Sequence, residues 1–220
     1  LGIPASVTLT GDAAYNNAYE ASSVQAFAAT GNPALLNVAD VDYVKPEQMQ
    51  SMEFGYRGKL SRTFTIDAAV YRNDFQDFIN TQVVLAPLYG EVGDGGLSVL
   101  AMANSDFETY SAYTNSPAEI SSWGMAIGMA TKIFGNFDLS ANYTKSKLEF
   151  EQSLYPDFRT NWNTPEHKIK AQFGNTNLFK ISDRTVGFNV AWRYWSEYLW
   201  QASFGDGMVP ETHVVDAQIN

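Results

Sequence analysis

Aromatic side chains crowd residues 192–200, where Trp192, Tyr194, Trp195, Tyr198 and Trp200 fall within nine positions. Their flat faces suit two tasks. Trp195, Tyr198 and Trp200 can stack against a sugar-like or other ring-bearing ligand, and the whole group can mark where a strand leaves a membrane. A second feature is one of charge. From Asn73 to Thr131 there is no Lys or Arg, while Asp74, Asp77, Glu91, Asp94, Asp106, Glu108 and Glu119 all carry acid groups. Such a stretch attracts cations, repels anions, or serves as a solvated face. The run Glu91-Val92-Gly93-Asp94-Gly95-Gly96 hints at a cation loop, but it lacks the Asp-x-Asp spacing and the distal Glu of a calcium site. Asp94 joins Trp195, Tyr198 and Trp200 as a candidate ligand contact.

Other chemistry is thin. The 2 histidines, His167 and His213, each open an alternating segment after a loop. A metal site needs them close in space with carboxylates, and no metal or cofactor is assigned. There is no Gly-x-Ser-x-Gly, His-Glu-x-x-His or phosphate loop. Any two of 24 acids could be proposed as a glycosidase pair, so that idea has no specificity. The expectation is a protein that is not an enzyme.

The elements that would position these residues are strands. Met52, Phe54 and Tyr56 alternate with Glu53, Gly55 and Arg57, and Phe64, Ile66, Ala68 and Val70 alternate with Thr65, Asp67 and Tyr71. A period of two means extended chain. The same pattern recurs near 120–133, 137–148, 166–174, 185–196 and from His213 onward. The second strand is expected to run on to about Thr81. Residues 1–44 and 82–117 lack alternation and read as long loops, with a short helix near Ser22–Ala29. Short turns at 58–63 and 134–136 and a looser one at 175–184 alternate with long connections at roughly 80–119, 149–165 and 197–212. Gly124 and Gly128 form GxxxG, the seam of some membrane helices. In a strand they share one polar face, where small side chains would leave room for an inserted domain.

Glu53, Arg57, Asp67, Lys168, Lys170, Arg193 and Asp216 share the polar side of the pattern. Every strand has an apolar side and no amphipathic helix is present to cover it. Either a second sheet covers that side or lipid does. Short turns at one end and long loops at the other favour lipid outside and a polar lumen inside. Composition agrees. No apolar run approaches the ~20 residues of a membrane helix, and the mean hydropathy of -0.22 fits polar lumen and loops. A net charge of -10 argues against nucleic acid as a partner. With 0 Cys, disulfides and thiolate metal sites are excluded.

Several segments resemble one family in its own order. Lys45-Pro46-Glu47 followed by Ser51-Met52-Glu53-Phe54-Gly55-Tyr56-Arg57-Gly58, then Ala68-Ala69-Val70-Tyr71-Arg72-Asn73-Asp74-Phe75 with Asp77-Phe78-Ile79, are similar to adjacent strands of TonB-dependent outer-membrane receptors. Asn163-Thr164-Pro165-Glu166-His167-Lys168, Arg193-Tyr194 and Val209-Pro210 with Val214-Val215-Asp216-Ala217 resemble later strands of those receptors. The Ala/Asn-rich residues 1–44 look like the carboxypeptidase-regulatory-like class.

The resemblance implies an all-β fold: about seven antiparallel transmembrane strands of a larger barrel, roughly 22-stranded and plugged. Residues 1–220 are then a partial barrel domain in the bacterial outer membrane, with 1–44 and 82–117 as extracellular loops and the plug domain absent. The chain opens at Leu1 without a signal peptide and stops at Asn220 mid-strand, as in a mature chain or a fragment. Open edges are forbidden in lipid, so more strands are expected. The function implied is active nutrient uptake, the ligand being a siderophore, oligosaccharide or peptide. Expected partners are outer-membrane lipid and lipopolysaccharide, the remainder of the receptor barrel, a possible surface lipoprotein, and the inner-membrane TonB energy-coupling complex acting through the missing plug. The alternative is a self-contained small barrel or soluble β-domain for ligand binding or adhesion.

Overall fold

A computed structural model describes residues 11–202 and 205–220. In chain order the elements are α1 (Ala13–Asn16), β1 (Tyr19–Glu20), α2 (Ala21–Thr30), β2 (Gln48–Lys59), β3 (Thr65–Gln76), β4 (Ile79–Pro87), α3 (Leu97–Ala103), β5 (Phe107–Asn115), β6 (Ile120–Ile133), β7 (Phe137–Glu149), β8 (Phe158–Arg159), β9 (His167–Ile181), β10 (Arg184–Trp195), β11 (Tyr198–Ala202), β12 (Gly205–Val209) and β13 (Thr212–Ile219). They form two compact units.

The larger sheet is 7-stranded, in the order β13-β10-β9-β7-β6-β3-β2. These are the seven segments whose alternation the sequence shows. Its strands pair antiparallel, as in Ile127↔Tyr143, Tyr143↔Ile169, Ile169↔Tyr194 and Tyr194↔His213. Strands of 12 to 15 residues, β13 excepted, exceed the ~9–11 needed to cross a bilayer at a tilt. All three short turns lie at one end. Ser61 Oγ accepts from the Phe64 amide at 3.1 Å in the first, and Phe134 and Gly135 supply positive φ in the second.

The third turn corrects the sequence reading. Residues 175–184 are not a loose turn: β9 continues to Ile181 and turns through Ser182 (φ 55) and Asp183. Between Val186 and Phe188 the register shifts, with Val186 opposite Phe179 and Phe188 opposite Asn175. This bulge takes extra β9 residues out of step, so the alternation there is broken although the strand is not.

The other unit holds the folded parts of 1–48, 75–120 and 150–161. The expected helix near Ser22–Ala29 is present as α2, which ends in Gly31 at φ 70. Residues 82–117 are not plain loop. β4 pairs with β1, β5 and β8, and α3 lies between β4 and β5. Val84, Leu85 and Ala86 are buried consecutively, against α1 and α2 residues among others. A strand covered on both faces has no alternation to read. Nor does β3 reach Thr81; it ends at Gln76, and Asp77 at φ 52 redirects the chain into β4.

Candidate functional site

Among the described residues, the buried apolar side chains all belong to the smaller-sheet unit except Pro165 and Ala191. Both hydrophobic clusters lie there as well. The 7-stranded sheet therefore has no core of its own. Its apolar face is open: Phe54 is 76%, Val215 67% and Ile219 81% exposed. A soluble domain does not leave a whole sheet face bare, because that much oily surface in water is strongly unfavourable.

That face has a pattern at each end. Near the long connections, His167 Nδ1 meets the Tyr143 hydroxyl at 2.8 Å, and Trp192 Nε1 donates to His213 Nδ1 at 3.3 Å. Tyr194 packs 5.0 Å from the His213 ring, and the Lys145 ammonium sits 4.8 Å over Trp123. Near the short turns Phe137, Phe173 and Phe188 pack at centroid distances of 5.4 to 6.3 Å. From Phe137 to Tyr143 along β7 is roughly 20 Å at the strand rise, close to the apolar band of an outer-membrane barrel. Both histidines thus pack on aromatic partners, and His167 Nε2 also lies 3.8 Å from the Glu166 carboxylate. No group of three His, Asp or Glu capable of holding a metal occurs among the described residues.

The opposite face is polar and cross-linked. Ser51 Oγ donates to Asn73 at 2.7 Å, Asn73 Nδ2 to Ser122 at 3.1 Å, and the Tyr71 hydroxyl to Ser146 at 3.1 Å. Arg57 pairs with Asp67 at 3.2 Å, and Arg193 with Asp216 at 2.6 Å. Lys170 lies directly opposite Arg193, and Lys168 opposite Trp195. Glu53 shares the parity of Arg57 on β2. By strand parity and register Glu53, Arg57, Asp67, Lys168, Lys170, Arg193 and Asp216 lie on this side of the sheet. The space expected beside Gly124 is filled, however: a side chain there would strike the Tyr71 ring and the Lys145 carbonyl.

The aromatic run divides three ways. Trp192 and Tyr194 join the apolar-face belt, while Trp195 lies on the polar face with Arg193 5.9 Å over its ring. Tyr198 and Trp200 belong to β11, which pairs with β12 where the sequence predicts a loop. Trp200 is 43% exposed, and its cross-strand neighbour is Gly207, which has nothing within 4 Å of where a side chain would start. Asn163 (φ 46) anchors the hairpin, donating to the Gln201 carbonyl at 2.9 Å and accepting from its amide at 2.7 Å.

Asp94 lies in the other unit, at the entry to α3. Its carboxylate accepts from Gly96 N at 2.9 Å, Ser98 Oγ at 2.8 Å and Glu91 N at 3.2 Å. The Gly96 amide first, then the Ser98 hydroxyl, hold its pKa below the ordinary carboxylate range. Both oxygens are committed to the loop. Nearby, burial and then the bond to Asp106 push the Tyr89 hydroxyl above its ordinary value.

Lys145 and Lys147 are not among the residues that the alternating pattern singles out. They continue the Tyr143 parity along β7 onto the apolar face, and lysines beside interfacial aromatics are the usual anchor where a strand meets headgroups.

The comparisons with known proteins point one way. Residues 7–220 match the family model described as TonB dependent receptor-like, beta-barrel. Among solved structures the chain is similar to one titled Copper transporter OprC, with a TM-score of 0.53 and 14% sequence identity. That likeness covers 80% of this chain and 23% of the other, so the chain spans about a quarter of its relative's length. At that identity it shows the fold alone. No curated protein sequence matches.

Proposed function

The chain belongs to the TonB-dependent receptor-like β-barrel family, and from that we propose that it forms wall and outer segments of a receptor for active nutrient uptake across the bacterial outer membrane. The observation that carries this reading is the uncovered apolar face of the 7-stranded sheet, backed by a cross-linked polar face. Lipid wets the first and an aqueous lumen the second. The soluble β-domain alternative would need something to cover Phe54, Val215 and Ile219.

In this reading the long connections face outward and the short turns face the periplasm. The plug, the remaining strands and the energy-coupling complex lie outside residues 1–220. Ligand binding favours a closed, plugged state, and coupling to the inner membrane displaces the plug, so transport is a shift in affinity between two states. Residues of this chain contribute surface and no catalytic group. Trp195, Tyr198 and Trp200 offer stacking faces for a siderophore, oligosaccharide or peptide, while Asp94 holds α3 in place. Lys145, Lys147 and Trp123 meet lipid or lipopolysaccharide headgroups. A surface lipoprotein is a further partner that would dock on the outer segments.

The test uses the whole receptor in cells. Cysteines replacing Ala126 or Gln172 on the polar face should react with a membrane-impermeant maleimide. A cysteine at Ile127 should react only with a lipid-soluble one. Equal labelling of 126 and 127 by the impermeant reagent would end the lipid-face assignment. Deleting the gene and disabling the energy-coupling complex should produce the same uptake defect for the receptor's nutrient; an uptake that ignores the coupling complex would remove the active-transport reading.

A further inference from the structure

The polar face carries more positive charge than it neutralises, and two of its cations stand two residues apart on β9. Among the ions of this face, Arg57 with Asp67, Lys132 with Asp138 and Arg193 with Asp216 cancel as pairs. Glu53 remains on β2, and Lys168 and Lys170 remain on β9, four strands away in the sheet order. No hydrogen bond or ion pair ties either lysine among the described residues. Lys170 is nonetheless held directly opposite Arg193. Like charges in facing positions of a sheet repel and are destabilising. The register fixes them there, since a one-residue slip would turn the whole apolar face inward. Asp216 meets Arg193 from β13, on the side away from Lys170, and so relieves only one partner.

Hydrogen-bonding and stacking groups surround this rung. Asn142 faces Lys170 and Thr144 faces Lys168 across β7 and β9. Trp195 faces Lys168 on β10, with the Arg193 guanidinium over its ring. The combination fits a ligand with anionic oxygens and a flat or apolar body, in a chain whose overall charge is -10.

We propose that Lys168, Lys170, Arg193 and Trp195 form an anion-binding rung on the inner wall, and that the ligand of this receptor segment carries carboxylate or phosphate groups. The proposal rests on the transport reading only in requiring that this face be wet. An anion between Lys168 and Lys170 removes the like-charge repulsion, and charge-assisted bonds from ammonium groups give it hold.

The whole receptor in detergent is titrated with citrate and with inorganic phosphate, followed by tryptophan fluorescence, with maltose as a neutral control. Saturable citrate or phosphate binding is expected, weakened by added salt and absent for maltose. Lys168→Gln with Lys170→Gln should weaken it about tenfold or more, each lysine contributing a charge-assisted bond. Lys168→Arg with Lys170→Arg should retain it. A preference between the two probes tells carboxylate from phosphate chemistry. Absence of saturable binding, or equal binding by the Gln variant, overturns the proposal. So does a Gln variant that melts several degrees lower with anion affinity unchanged, since the lysines would then pair with another part of the receptor. Impermeant labelling of a cysteine at position 172 separates the two levels. Labelling without anion binding defeats only the rung, and no labelling defeats the wet lumen too.

Discussion

Tyr71 on β3 occupies the space that a side chain at Gly124 on β6 would need, and its hydroxyl reaches across to Ser146 on β7 at 3.1 Å. Three neighbouring strands are thereby locked on the polar face. Gly124→Ala drives a methyl group into both the Tyr71 ring and the Lys145 carbonyl, so it should destabilise by about 1–3 kcal/mol, as overpacking does. Tyr71→Phe keeps the ring and should cost only about 1 kcal/mol for the lost hydrogen bond. Denaturant unfolding of the receptor in lipid measures both. A neutral Gly124→Ala would mean that Tyr71 moves aside freely.

Neighbouring positions on β6 should differ sharply in their tolerance of charge. Ile127 shares the apolar face with Tyr143, and Ala126 shares the polar face with Thr144. Ile127→Arg should cost about 2–4 kcal/mol near mid-bilayer, and Ala126→Arg much less. Folding free energies measured in lipid decide this, and equal losses would contradict the two-phase reading of the sheet.

Asn163 should govern the β11–β12 hairpin. Its amide makes both backbone bonds to Gln201 from a positive φ that few residues adopt easily. Asn163→Ala removes the pair and strains the backbone, at a cost of roughly 1–3 kcal/mol. Amide hydrogen exchange at Gln201 should accelerate while exchange in β9 stays slow. Unchanged protection at Gln201 would show that the hairpin is held by other means.

Acid should loosen the α3 segment through Asp94. Its pKa is lowered in the folded state, chiefly by the Gly96 amide. The stabilisation is therefore complete above the unfolded carboxylate value of about 4 and is lost as pH falls through the lower folded value. Asp94→Asn should remove that pH dependence and speed exchange at Gly96 and Ser98 at neutral pH. An exchange profile at these amides that is the same in both proteins across this range would assign their protection elsewhere.

Some features were legible because each residue reports its own environment. A strand between oil and water alternates, so all seven wall strands show in the sequence. The ions of the polar face follow by parity alone. The segments that were not legible break that one-to-one relation. Val84, Leu85 and Ala86 in β4 are covered on both sides and look like any apolar run. In β9 the bulge after Asn175 sets two extra residues against β10, and the polar run Asn175-Thr176-Asn177 there reads as a turn. Asp94 reads as a free acid because nothing local shows that its oxygens are held by Gly96 and Ser98.

The amino-acid order by itself determined that these strands have one oily and one ionic side, because period-two chemistry is written residue by residue. It also determined the family, through motifs kept in sequence order. Only the tertiary structure decided which side chains meet. Lys170 faces Arg193 and Tyr71 fills the space beside Gly124, since these depend on register between strands distant in the chain, and register is a property of the sheet rather than of any one segment.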